Sequence, residues 1–406
     1  MRILYLCHRF PYPPKRGGKI RPFNMIRHLA RSHEVVVCSL ARSAQEAEEG
    51  RGIAPYCSEF HIHEVDETLQ RLRMVATLPT HVTASTSYFH SPALQKTTWR
   101  LLAERRFDLV FVHCSSVAHY VRNVRDVPRI LDFGDMDSQK WLEYARFKPA
   151  PLKFGYAWEG HRLAAYERRL AREFDLCTAT THAEWQTLES YRTGVATDWF
   201  PNGVDSEYFS MAEGDHDADT IAFVGRMDYY PNQEAMIRFC RDVLPALQQR
   251  RPGLKLLIIG ADPSTTIRKL GQIEGVTVTG SVPDVRPLVR RAALTVAPLS
   301  IARGTQNKVL ESMAMGVPVV ASRAAAGGVD AVPGEHLLVA DTVSEQCDAI
   351  VSLLADPDRR SFFARAGRAR VLSNHAWPQS MQRLDRIIER CLANFAIPST
   401  SQTATS

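Results

Sequence analysis

The chain has 406 residues, 45% of them apolar and 23% charged, with a net charge of +6. This length fits two domains of ordinary size, and the balance is that of a globular protein with no nucleic acid partner. No apolar run nears the ~20 residues that cross a bilayer, and Ile3 to Cys7 is too short for a signal peptide, so a cytoplasmic chain is expected.

The eight cysteines are scattered without a C-x-x-C pair, and Cys7, Cys38 and Cys177 lie in apolar runs. Buried free thiols fit this better than disulfides or zinc. The charge is uneven: the first 33 residues hold eight Lys/Arg and no Asp or Glu. A solvated basic face explains this, and so does a surface that meets anionic lipid or a lipid-diphosphate acceptor.

Arg2 to Cys7 reads as a strand, Ile20 to Ala30 as a helix with Ile20, Phe23, Ile26 and Ala30 at helical spacing, and Glu34 to Leu40 as the next strand. Strand, loop, helix, strand is the unit of parallel α/β sheets. The loop, His8 to Lys19, is rich in Pro and Gly but matches neither G-x-G-x-x-G nor G-x-x-x-x-G-K-[ST]. Its Gly17-Gly18 pair permits a tight turn. His61 and His63 alternate on one face of a strand, and with no third ligand a surface strand is the better reading. Pro79 to Tyr88 reads as a loop. Asp108 to His113 is a strand ending in His113, and open parallel sheets take ligands at such ends, although a lone His is more often structural. Arg129 to Phe133 follows, with Asp132, Asp135 and Asp137 clustered at its end. These acids suit a metal or a sugar hydroxyl, and Asp135 and Asp137 equally suit a turn or, for Asp137 or Ser138, a helix cap. No metal site is assigned. Trp158 to Phe174 reads as a long helix whose Glu167 belongs to a solvated face. Thr181 and Glu184 form a capping box.

Asn202-Gly203 is a turn pair, and the acidic stretch 211–220 reads as the linker to a second domain. Thr220 to Gly225 is that domain's first strand. It ends on Arg226, which can grip a diphosphate with its fork or simply lie at the surface. Leu254 to Gly260, Val276 to Thr279 and Leu294 to Pro298 are further strands, and Asp284 reads as a helix cap. Arg303 to Ser322 then reads as a loop, a helix over Thr305 to Met315, a Gly316 stop and a strand entered through Pro318. Gly304 and Thr305 sit at the helix start, where free N–H groups and about half a positive charge suit a diphosphate. Lys308 adds a full charge, and Glu311, one turn on, can accept from a ribose diol. A surface helix with a Lys/Glu pair explains the same residues equally well. Trp377 to Phe395 is a last helix, and the Ser/Thr-rich end from Pro398 reads as disordered.

Lys308, Glu311 and the run Met313 to Val320, together with Pro201-Asn202-Gly203-Val204-Asp205 and Gly225-Arg226-Met227, resemble the retaining glycosyltransferases of family 4. The D-x-D-S-x-K-W run from Asp135 to Trp141 resembles their exopolysaccharide sugar transferases, those linked to PEP-CTERM/exosortase systems. The resemblance implies an α/β chain of GT-B fold, two doubly wound Rossmann-like domains facing each other across a cleft. Residues 1–200 would be the acceptor side, 201–375 the nucleotide-sugar domain, 376–397 a crossover helix and 398–406 a disordered tail.

It implies a hexosyltransferase that moves sugar from a nucleoside diphosphate sugar to a saccharide or lipid-linked acceptor, with configuration retained. Exopolysaccharide or glycolipid synthesis would be the setting, with peripheral contact to anionic membrane and no cofactor beyond the donor. Catalysis would fall to Lys308, Arg226 and His113. Donor binding would fall to Gly225, Arg226, Val282, Gly304, Thr305, Lys308 and Glu311, and the acceptor side to Gly17, Gly18 and Asp135. Two places depart from the family. Arg303 stands where a first Glu is usual, followed by Thr305 and Gln306 in place of Phe-Gly. Pro231-Asn232 replaces a phosphate-contacting Lys, which shifts charge to Lys308 with Arg303 as a helper. A nucleotide-sugar epimerase of the same fold and a non-catalytic sugar-nucleotide-binding protein of a polysaccharide assembly system are the alternatives.

Overall fold

The computed structural model describes residues 1–14, 17–77, 80–211 and 216–396. The chain divides into one unit of Met1–Phe200 joined by the residues from Met381 on, and a second of Pro201–Ser380.

The first unit is built on seven parallel strands: β1 (Arg2–Cys7), β2 (Glu34–Ala41), β3 (Glu59–Glu64), β4 (Leu109–His113), β5 (Arg129–Asp132), β6 (Leu176–Ala179) and β7 (Ala196–Trp199). Their order is β3-β2-β1-β4-β5-β6-β7, so the winding reverses between β1 and β4. The central strands are near-continuous apolar runs because helices cover both faces of such a sheet. Leu4, Leu6, Val36, Val110, Val112 and Leu131 share one buried cluster, each worth roughly 1.5–3 kcal/mol of burial.

The second unit holds β8 (Asp217–Val224), β9 (Lys255–Ile259), β10 (Val276–Gly280), β11 (Ala292–Ala297), β12 (Val319–Ala321) and β13 (Leu338–Val339). All are parallel, in the order β10-β9-β8-β11-β12-β13, with the reversal between β8 and β11. Val309 and Met313 of the Asn307–Ala314 helix join its core. Asn202-Gly203 does more than turn: a Cβ on Gly203 would lie 2.5 Å from the Trp377 ring, and the Val204 amide donates to the His375 carbonyl at 2.7 Å. The Trp377–Ala396 helix begins in this unit, and from Met381 its residues group with the first.

Several expectations change. The first helix runs Gly17–Leu29, so Gly17 and Gly18 are its opening turn rather than a loop, with open space where side chains would be. The basic N-terminus is not one solvated face. Lys19 and Arg21 are 7% and 3% exposed, Lys19 pairing with Glu46 at 2.7 Å and Arg21 with Asp132 at 3.0 Å. A helix over Ala84–Tyr88, capped by Thr83, occupies half of the Pro79 to Tyr88 stretch read as a loop, and another runs over Glu67–Ala76; residue 79 lies outside the described residues, as does the tail 398–406.

Neither Asp137 nor Ser138 caps the Asp137–Phe147 helix. Its N-cap is Met136 without a side-chain bond. Glu184 accepts from the Met136 amide at 2.9 Å and Glu167 from the Ser138 amide at 3.0 Å. Thr181 does cap its helix, accepting from the Glu184 amide.

Glu167 is the largest correction: it is fully buried, not solvated. It lies on the same helical face as Leu163 and Leu170 and also accepts from the hydroxyls of Ser138 and Tyr191. Burial pushes its carboxyl up to about 8 against those bonds. Glu167→Ala leaves three donors without an acceptor and should cost about 3 kcal/mol in urea unfolding. The pH sign is set by the raised folded value. The acid's contribution is complete below the unfolded value of about 4.3 and fades as pH rises through about 8. Wild type should therefore weaken relative to Glu167→Gln across that window, and a pH-independent difference would contradict a buried acid.

Candidate functional site

In the second unit the residues gather where β8 and β11 end, at the reversal of winding, the place where open α/β sheets bind ligands. Gly225 follows β8, and its amide donates to the Ile259 carbonyl at 3.0 Å. Gly260 packs so closely that a Cβ on it would stand 1.8 Å from the Gly225 oxygen. Only glycine fits there, and this fixes the path of Gly225-Arg226.

Lys308 donates to Asn232 Oδ1 at 2.6 Å, and Asn232 Nδ2 donates to the Arg226 carbonyl at 2.8 Å. The Lys308 ammonium also lies 4.6 Å from the centre of the Phe223 ring. The lysine is half-buried in surface area but surrounded by protein. Desolvation lowers it to about 7, with Glu311 pulling the other way. Desolvation likewise raises Glu311 to about 7, opposed by Lys308.

The helix carrying both begins at Asn307, two residues later than expected, so Gly304 and Thr305 belong to the preceding loop. Gly304 is in the left-handed region at φ +62°, and its carbonyl leaves no room for a side chain on Gly328. The Thr305 hydroxyl oxygen and Asn307 Oδ1 are buried without a hydrogen-bond partner among the described residues. At the other end Gly316, at φ +70°, closes the helix as expected. Its amide donates to Met313, and that of Val317 to Ser312.

The Arg226 guanidinium pairs with Asp228 at 2.8 Å and with Asp262, while its carbonyl fixes Asn232. Val282 is half-buried against an apolar cluster with Met315 and Val317. Asp284 accepts from the Arg286 amide at 2.9 Å, one residue ahead of the helix N-cap Val285.

In the first unit His113 ends β4 beside Cys7 of β1, again at the reversal. Its Nδ1 lies 2.8 Å from Asp132 Oδ2. Asp132 also takes both prongs of Arg21 at 3.0 Å and the Thr178 hydroxyl at 2.9 Å. Burial pushes the Asp132 carboxyl up, but Arg21 and His113 outweigh it and hold it below the carboxylate range. Asp132 is thus neither metal-directed nor sugar-directed: it orients His113. Asp135 is half-buried, and burial raises its carboxyl against the pull of Lys140. Among the described residues no three His, Cys, Asp or Glu are arranged to hold a metal ion.

Sequence reasoning singled out Lys308, Glu311 and His113 as candidates, and the structure places the first two on one helix and the third at the end of β4. It did not include the bridging of Asn232, the orphaned Asn307 or the Arg21–Asp132 clamp. Asn232 could have been found from its place where a phosphate-contacting lysine is usual.

A family model described as "Glycosyl transferase 4-like domain" matches residues 16–203, and one described as "Glycosyl transferases group 1" matches residues 218–356. A GDP-mannose-dependent monoacylated alpha-(1-6)-phosphatidylinositol monomannoside mannosyltransferase of Corynebacterium glutamicum is 26% identical over 247 residues, 55% of this chain and 64% of that relative's length. The chain thus spans less than two thirds of it. A phosphatidyl-myo-inositol mannosyltransferase of Mycobacterium tuberculosis is 29% identical over 315 residues, 73% of this chain and 78% of the relative. Among solved structures, sucrose-phosphate synthase from Thermosynechococcus elongatus is similar with a TM-score of 0.69 at 17% identity, covering 97% and 100% of the two chains. Anabaena HepE in complex with UDP and glucose gives 0.68 at 14%, covering 96% and 100%. At these identities the structural likeness is one of fold. With one model matching in each unit, together over most of its length, and with two parallel-sheet lobes and a C-terminal helix, the chain belongs to the family-4-like glycosyltransferases of GT-B fold.

Proposed function

We propose that the chain transfers a glycosyl group from a nucleoside diphosphate sugar to a hydroxyl of a saccharide or lipid-linked acceptor, retaining the anomeric configuration. The observation that carries this reading is the string Lys308–Asn232–Arg226 carbonyl at the reversal of the second sheet. A diphosphate beside Lys308 would draw this partly desolvated amine to its charged form, and the charge would stabilise the departing nucleotide. The unpaired Thr305 hydroxyl and the positive end of the Asn307–Ala314 helix add to the same side. Arg226 would join by exchanging one of its aspartates for phosphate. Glu311 would accept from the ribose diol, Val282 would flank the base and Gly225 would let the phosphates approach. His113, held by Asp132, would meet the sugar, and Gly17, Gly18 and Asp135 would lie on the acceptor side.

The relatives' names specify GDP-mannose and inositol lipids, and HepE structures contain UDP or UDP-glucose, so both bases belong in a donor screen. Exopolysaccharide synthesis of the PEP-CTERM/exosortase kind rests on the Asp135 to Trp141 run. A cytoplasmic location at an anionic membrane remains part of the reading. It is supported by residues 144–158, which hold no Asp or Glu and carry exposed Arg146, Lys153, Phe147 at 42%, Phe154 at 64% and Trp158 at 60%.

A thermal-shift screen of UDP-, GDP-, ADP- and TDP-sugars identifies the donor. Lys308→Ala and Glu311→Ala should each lower turnover about 100-fold; near-normal transfer by either contradicts the assigned roles. Epimerised sugar without acceptor, or binding without turnover, would replace transfer by one of the alternatives. Because Glu311 must be ionised and Lys308 charged, kcat/KM should peak near neutrality, rising through about 7 with Glu311 and falling through about 7 with Lys308. Glu311→Gln should flatten the acid limb. The wild type should sediment with vesicles of phosphatidylglycerol and phosphatidylcholine but not of phosphatidylcholine alone, and Phe154→Ser with Trp158→Ser should remove most of that binding. Unchanged sedimentation would exclude this surface.

A further inference from the structure

We propose that Arg9 forms an anion site at the C-terminal rim of the first sheet, which takes a phosphate or carboxylate carried by the acceptor; the acceptor part rests on the transferase reading above. β1 ends at Cys7 and pairs with β2 in the register Cys7↔Ser39. The Phe10 amide donates to the Leu40 carbonyl at 3.0 Å. His8 and Arg9, which follow β1, therefore stand between Arg42, which follows β2, and His113 at the end of β4, whose ring lies 6.0 Å from that of His8, beside the reversal of winding between β1 and β4.

The other basic groups there already have carboxylates. Lys19 lies 2.7 Å from Glu46, Arg42 3.5 Å from Glu46 and 3.6 Å from Glu67, and Arg21 forks Asp132. Arg9 is different. It is half-buried, its Nε is sealed from solvent without a partner, and its guanidinium makes no hydrogen bond or ion pair among the described residues. The acid that acts on it, Glu46, is shared by Lys19 and Arg42. Beside it His8 Nδ1 is also buried and unpartnered. Burial, together with Arg9, His113, Lys140 and Arg42, holds that imidazole in its neutral form, able to donate or accept one bond.

A partly desolvated guanidinium without a counter-ion is costly to maintain. An oxyanion is the ligand that relieves this, since its oxygens match the planar fork of arginine. The phosphates of the donor and an anionic group on the acceptor share this chemistry, and the position in the first unit favours the acceptor.

The test uses the full chain in a Lys308→Ala background, which weakens the competing anion site, with inorganic phosphate as probe in calorimetry. Phosphate should bind, and adding Arg9→Gln should weaken it on the order of tenfold or more. Arg9→Lys, which keeps charge but not the fork, should fall between and serves if Arg9→Gln does not fold. In the otherwise wild-type chain, Arg9→Gln should leave nucleotide-sugar affinity unchanged. No phosphate binding, or equal binding by the Arg9 variants, overturns the site. A parallel loss of nucleotide-sugar affinity overturns its assignment to the acceptor. If no nucleotide sugar binds the wild type while Arg9 still governs phosphate, the transferase reading fails and the anion site stands.

Discussion

Lys308 is held half-buried at the end of a parallel sheet. An aromatic ring lies against its ammonium, and an amide side chain accepts its hydrogen bond. An amine so placed gains from any anion that arrives, because the arriving charge replaces hydration the protein has removed. The rest of the second unit serves this arrangement. β8 is followed by a glycine where the chain bends toward the helix, Asn232 ties the bend to the lysine, and the Gly316 stop returns the chain into β12. Glu311 on the next turn is likewise desolvated, so the two groups keep the helix close to electrical balance until a ligand divides their tasks.

The first unit solves a related problem by the opposite means. Asp132 and Arg21 are withdrawn from water as a pair; His113 and the Thr178 hydroxyl also bond to Asp132, and Arg21 donates to the Phe200 carbonyl. Burying two charges is favourable only when such bonds are made. The clamp leaves His113 one orientation and leaves Asp132 no capacity to act as a base. Lys308 and Glu311 are each shifted to about 7, whereas Asp132 is held below the carboxylate range by its partners.

How much of this could be read beforehand depends on whether the signal was local. The central strands were legible because runs such as Ile3 to Cys7 and Leu109 to His113 are apolar on both faces. The Gly316 stop was legible because a left-handed residue after an amphipathic helix has few alternatives. Lys308 and Glu311 stood out because opposite charges at that spacing follow an unusual loop. Glu167 was hidden: in a helix dense with arginines it looks like surface, and only its alignment with Leu163 and Leu170 betrays its side. Arg21 was hidden for a deeper reason. Its partner Asp132 lies 111 residues away, and no window on the sequence contains both. Asn307 carries no charge and no periodicity, so its contribution emerges only from what surrounds it, whereas Asn232 had the one cue of standing where a lysine is usual.

The contact between Gly260 and the Gly225 carbonyl sets how this loop can change over time. A methyl group at 260 would displace the peptide leading to Arg226, and the shift would pass through Asn232 to Lys308. Sequence change in this loop must therefore leave that glycine untouched and work through neighbours whose side chains are exposed, such as Asp228 and Asp262, which alter the local charge without crowding the backbone.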